Sequence, residues 1–203
     1  MNENLNENMR LKLRMSPAIH LTDDQFYHFC QINRGLRMER TGRGELLIMA
    51  PAGGETGHRN AEIIMSLGIW AKKDGTGIVF DSSTGFILPD GDTRSPDAAW
   101  VRRSKLAALT SEQKKKFIPL CPDFVVKLRS PSDSLDDLQG KMRKYMENGA
   151  ELGWLIDPTD RKVYAYRSQN KNNPECFDNP SHISGVPTLP GFVLELEDIW
   201  EGF

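Results

Sequence analysis

Apolar and polar positions recur along this chain with two different periods, and the switches between them mark its elements. In Leu21-Thr22-Asp23-Asp24-Gln25-Phe26, Thr22 and Gln25 have the spacing of a capping box, and Leu21 and Phe26 that of a hydrophobic staple. Phe26, Phe29 and Cys30 then share one face, which predicts a helix over 23–33. Two β-like runs, 36–41 and 45–50, flank Gly42-Arg43-Gly44 and predict a hairpin. A loop with Pro51, Gly53, Gly54 and Gly57 follows. Ile63, Ile64, Leu67, Trp70 and Ala71 then fall at helical spacing and predict an amphipathic helix over 58–72. Short strands are expected over 77–80, 85–88 and 97–101, and a buried strand over 123–128. Ser134 opens another helix, with Asp136 and Asp137 at its positive end and Leu135, Leu138, Met142, Tyr145 and Met146 as its apolar stripe. Asn148-Gly149 ends it. Strands over 153–156 and 163–166 flank a turn at Asp157-Pro158, the polar stretch 168–183 reads as a mobile loop, and a last short strand lies near 192–194. The sum is a mixed α/β domain with about three helices, in which a central mixed sheet of five or more strands is flanked by the helices near 58–72 and 134–148.

Composition narrows this picture. A chain of 203 residues forms one sizeable core but leaves a second full domain cramped, so 1–19 reads as a loose arm and 20–203 as a single domain. With 38% hydrophobic and 27% charged residues the chain is globular. A net charge of -2 excludes a nucleic-acid-coating protein and a polyacidic tail, but not a DNA enzyme with a local basic groove. Three distant cysteines, Cys30, Cys121 and Cys176, indicate a reducing compartment and leave no CxxC pair for zinc. The polar, acidic N-terminus is unlike a secretory signal, and no apolar run approaches the roughly 20 residues of a membrane span, so the expected address is the cytoplasm, with no membrane partner. Neither GxxxxGK[ST], GxGxxG after a strand, HExxH nor GxSxG occurs, so no nucleotide cofactor is implied.

Chemistry concentrates between Arg94 and Lys141. Ser95-Pro96-Asp97 starts a strand, and Lys127-Leu128-Arg129 closes another. Side chains alternate across a strand, so Lys127 and Arg129 share a face with Val125. Two cations in so apolar a strand are costly unless acids meet them.

Several segments together carry a resemblance: Gly42-Arg43-Gly44-Glu45-Leu46, Ser83-Thr84-Gly85-Phe86, Arg94-Ser95-Pro96-Asp97-Ala98-Ala99-Trp100-Val101, Pro122-Asp123-Phe124-Val125-Val126, Arg129-Ser130-Pro131-Ser132-Asp133 and Gly153-Trp154-Leu155-Ile156-Asp157-Pro158. In this order the chain resembles, over residues 20–200, an endonuclease family of restriction-endonuclease-like fold that is abundant in cyanobacteria and belongs to the PD-(D/E)xK nuclease superfamily. The Pro-Asp dipeptide alone is uninformative, since it occurs at 89–90, 96–97 and 122–123.

The resemblance implies a Mg²⁺- or Mn²⁺-dependent DNA endonuclease acting as a homodimer on the two strands of a duplex. Asp97 would be its metal-binding aspartate. An acid, a spacer and a basic residue should follow on the next strand, at 127, 128 and 129. Arg129 keeps the basic position, but Lys127 stands where the pattern has Glu. Exchanging Glu for Lys removes a hard oxygen ligand and shifts the local charge by two units, which weakens or abolishes metal binding. The expectation is a nuclease impaired by Lys127; the alternative is a catalytically inactive nuclease-derived module that binds nucleic acid or a protein. A lesion, a toxicity-relieving change and a change of function would each leave Lys at this position.

Other residues carry paired readings. Glu39 and Glu45 flank the hairpin as extra metal ligands or as solvated edge acids, and Asp81 is a third ligand or a turn residue. His58 contacts phosphate or merely opens its helix. Lys141 is a displaced active-site cation or the i,i+4 surface partner of Asp137. Arg102, Arg103, Lys105, Lys114, Lys115 and Lys116 track a nucleic-acid backbone or form a solvated face.

Overall fold

A computed structural model of the chain describes residues 11–203. Its centre is a six-stranded sheet in the order β11 (Glu175–Asp178), β10 (Lys162–Arg167), β9 (Leu152–Asp157), β8 (Phe124–Leu128), β7 (Ala98–Arg102), β4 (Gly77–Asp81). Only β8 and β9 run parallel; every other neighbouring pair is antiparallel. The parallel pair needs a crossover, and helix α5 (Leu135–Glu147) supplies it.

Alternation along β8 sorts its side chains between two cores. Phe124, Val126 and Leu128 join Trp100, Trp154 and Ile156 against helix α2 (Gly54–Asp74). Val125 joins Ala99, Leu155 and Tyr166 against Leu138, Met142, Tyr145 and Met146 of α5. Lys127 shares the parity of Val125 and therefore lies on the α5 side. Gly153 lets α5 come close: a Cβ there would stand 2.4 Å from Met142 Cε. That approach brings the next residue before Met142, Lys141, down toward the sheet.

A second, five-stranded sheet has the order β1 (Leu11–Arg14), β3 (Glu45–Met49), β2 (Arg37–Arg40), β6 (Thr93–Arg94), β5 (Phe86–Ile87). Helix α1 (Asp23–Ile32) covers it through Phe26, which packs with Met38 and Leu46. The expected Thr22–Gln25 capping box is present. So is the hairpin, closed by Gly44 at φ 82°, a left-handed conformation that suits glycine. Residues 93–97 carry the chain from this sheet into the central one, as β6 pairs with β2 and Asp97 N–H bonds the Val126 carbonyl.

Four expectations change. Residues 11–14, assigned to a loose arm, are strand β1 along β3, while the arm's residues 1–10 lie outside the described residues. Helix α2 begins at Gly54 rather than 58, because packing over 21 residues outweighs the cost of about 1 kcal/mol for a helical glycine. The stretch 168–183 is not a loop throughout. It contains the short 3₁₀ turn Ser168–Asn170, β11 and the start of β12 (His182–Ser184), which pairs with β13 (Val193–Glu195). Its polar composition suits an exposed edge strand. Three short helices join the three expected ones among the described residues: α3 (Arg103–Ala107), α4 (Ser111–Lys115) and α6 (Glu197–Glu201). No helix among the described residues is long and apolar enough to cross a membrane.

Candidate functional site

The two sheets meet over a cleft of about 440 Å³. Its walls include Arg37 from β2, the first turn of α2, Asp97 and Lys127 from the central sheet, the Ser130–Asp133 loop and Lys141 from α5.

At its floor Lys127 Nζ donates to Asp97 Oδ1 at 2.9 Å, and the Leu128 amide donates to Asp97 Oδ2 at 2.7 Å. Both side chains are buried, with Lys127 7% and Asp97 8% exposed. A second pair stands beside the first. Glu39, 1% exposed, accepts from Lys141 Nζ at 2.8 Å and from Arg94 Nη1 at 3.1 Å, both on Oε2. The Ser95 amide holds its Oε1 at 3.1 Å. Arg94 in turn forks onto Asp92. Burial by itself would push the Glu39 carboxyl up, but the charges of Lys141, Arg94 and Lys127 outweigh it and hold Glu39 well below the ordinary carboxylate range.

Arg129, at the basic position of the sequence pattern, is not among the residues that line the cleft. Arg129 donates to Asp157 at 2.6 Å and Asp160 at 3.4 Å, and to the Asp133 carbonyl, which ties the Ser130–Asp133 loop to the end of β9. Besides Lys127 and Arg94, a further cation beside a buried carboxylate is Lys141, on α5, 102 residues from Glu39. Of the two hairpin acids, Glu39 enters the site. Glu45 faces the β1 edge instead, paired with Lys12 at 2.9 Å and Arg14 at 3.7 Å. Asp81 is exposed and caps a turn, accepting from Ser83 and Thr84. His58 meets the Phe203 ring edge-on, with centroids 5.5 Å apart.

The basic run is also placed elsewhere. Arg102 bridges Asp123 and Glu151, and Lys105 reaches Asp123 at 2.9 Å. Arg103 donates to the Gly75 carbonyl, Lys115 pairs with Glu112 and Lys116 with Asp24. Lys114 lies exposed on α4. Arg102 stands at the other end of β7 from Asp97, roughly 16 Å away at strand rise. Asp92 is absent from the quoted segments, and Arg94 stands in one of them without an assigned role, yet both belong to this network. Their adjacency to Ser95-Pro96-Asp97 was the one available signal.

The donor set does not fit Mg²⁺ or Mn²⁺. A hard divalent ion needs carboxylate oxygens to spare. Here the charge of Asp97 is already met by Lys127 and that of Glu39 by Arg94 and Lys141, and the Leu128 and Ser95 amides bond the same carboxylates. Three acids (Glu39, Asp92, Asp97) balance three bases (Arg94, Lys127, Lys141). A glutamate at 127 would instead leave four acids against two bases, the excess of two negative charges that a divalent cation neutralises. No group of three acid, His or Cys side chains able to hold a metal occurs among the described residues.

Comparison with known proteins agrees with this architecture. The model of the Uma2 family, described as "Putative restriction endonuclease", matches residues 23–197. The chain belongs to the Uma2 family. This Uma2 protein also superposes on the crystal structure of a "putative nuclease belonging to DUF820" from Anabaena variabilis ATCC 29413, with a TM-score of 0.68 and 20% identity over 89% of this chain and 98% of that one. The fold is thus restriction-endonuclease-like, as the resemblance implied. No curated protein matches the chain.

Proposed function

We propose that the cleft is a phosphodiesterase site of the nuclease class in which Lys127 occupies an acid position and suppresses metal-dependent hydrolysis. Family membership and fold support the class. The single observation that carries the suppression is the buried Lys127–Asp97 pair at 2.9 Å. The ammonium neutralises the aspartate and fills the space beside it. Glu39 and Lys141 complete the arrangement with a carboxylate and a cation, the residue types a hydrolytic site uses to orient water and to stabilise developing phosphate charge.

The test compares the unaltered chain with Lys127→Glu by calorimetric Mn²⁺ titration and cleavage of supercoiled plasmid DNA. The unaltered chain is expected to give neither heat of binding nor nicking. Lys127→Glu is expected to gain both, and Asp97→Ala in that background to lose both. A Lys127→Glu protein that folds yet gains neither would sink the site assignment.

A further inference from the structure

We infer that the Lys127 ammonium stands in for the absent metal, so that the cleft holds the phosphodiester backbone of nucleic acid without any divalent ion. This inference rests on the nuclease-class reading of the same cleft. In a metal-dependent site the order is carboxylate, cation, phosphate, because the ion neutralises the acids on one side and attracts the phosphate oxygens on the other. Here the Lys127 ammonium takes the cation's place. It stands 2.9 Å from Asp97, and both residues line the open cleft.

An ammonium has three N–H donors, and Asp97 takes one of them. Buried donors are satisfied in native proteins, and Lys127 is 93% buried on the wall of a water-accessible cleft, so an acceptor from that side completes it. Arg37, which also lines the cleft, adds a second cation. Its Nη2 bonds the neutral Ser82 carbonyl at 2.7 Å, which leaves its charge unopposed by that partner. Ser130 and Ser132 line the same space, where the Ser130 hydroxyl donates to the Asp133 carboxylate at 2.8 Å. Charge-assisted bonds from a lysine and an arginine to phosphate oxygens are among the stronger polar contacts available to a protein. The neutral balance of the floor matters as much. A site with Glu at 127 would repel phosphate until a metal bound, whereas this one does not.

The experiment is fluorescence anisotropy with a short labelled DNA duplex in EDTA, then in Ca²⁺, for the unaltered chain, Lys127→Gln, Lys127→Glu and Arg37→Gln, each checked by thermal melting. The unaltered chain is expected to bind equally in both buffers. Lys127→Gln and Arg37→Gln should each weaken binding about tenfold, the loss of one charge-assisted hydrogen bond. Lys127→Glu should lose binding in EDTA and recover it in Ca²⁺. Arg37→Gln keeps the inference open to refutation if the Lys127 variants fold poorly. Binding by the unaltered chain that neither Lys127→Gln nor Arg37→Gln weakens would overturn the inference by placing the nucleic acid elsewhere. No binding by the unaltered chain, with Ca²⁺-dependent binding by Lys127→Glu, would overturn it while leaving the nuclease-class reading intact. If Lys127→Glu neither binds nor cuts in any metal, that reading fails as well.

Discussion

A buried aspartate is met by a cation at each end of strand β7, Asp97 just before it and Asp123 beside Arg102, yet only the Asp97 end opens on a cleft. At the far end Asp123, fully buried, is held by Arg102 and Lys105, while Glu151 forks onto Arg102. Two acids meet two bases there, and the cluster staples α3 and the start of β9 to the sheet. At the near end Asp97, Glu39 and Asp92 meet Lys127, Lys141 and Arg94. The near end is therefore balanced in the manner of the structural far end, although it lines a cleft of about 440 Å³. A metal site would carry surplus negative charge. On the proposed reading Lys127 offsets that surplus, since with it the near-end cluster has three acids against three bases.

The largest expected effect breaks the far end. Asp123→Ala takes from Arg102 and Lys105 their buried partner, and from the Arg102 amide its acceptor, and should cost about 3 kcal/mol in urea unfolding, with DNA binding by the folded fraction unchanged. A loss below about 1 kcal/mol would show that the far cluster is not the staple described.

The next effect sharpens the near end. Lys127→Glu should melt at lower temperature in EDTA and recover with Mn²⁺, by about 2.7 kcal/mol when the metal stands at a hundred times its dissociation constant. Asp123→Ala should show no such recovery. Equal responses of the two variants to metal would erase the distinction between the ends.

The smallest effect is in acid and belongs to Glu39. Its folded-state pKa lies below the ordinary 4.5, so the unfolded chain takes up the proton first as pH falls. The stabilising contribution is complete above the ordinary value and drains away below it, at up to about 1.4 kcal/mol per pH unit for one proton. Urea unfolding between pH 6 and pH 3 should reveal this slope, and Glu39→Gln should flatten it by that amount while lowering stability at pH 6. An unchanged slope in Glu39→Gln would mean that other carboxylates govern acid unfolding.

The legible parts of the sequence were those with a local cause. The capping box at Thr22, the Gly44 turn and the apolar stripe of α5 depend on neighbours within a few residues, and each appears where the pattern placed it. The Asp97 and Lys127 pairing was legible through motif order, since each strand end is marked by its own segment. Less legible was β11, because an edge strand that buries little has no apolar alternation to announce it. The start of α2 was misplaced for a related reason, as Gly54 and Gly57 read locally as loop.

By itself the sequence determined the α/β class, the amphipathic helices that flank the central sheet, and the face that Lys127 shares with Val125. Tertiary structure alone decided which charges meet. Glu39 and Glu45 have the same chemistry and lie on the same face of one hairpin, yet one meets Arg94 and the other Lys12, because β2 is flanked by β6 and β3 by β1. Arg129 continues the motif strand but bonds Asp157, while Lys141, on a helix, reaches Glu39 because Gly153 lets α5 settle onto the sheet. Coulomb energy depends on distance through space, and across 102 residues that distance is set by packing rather than by order along the chain.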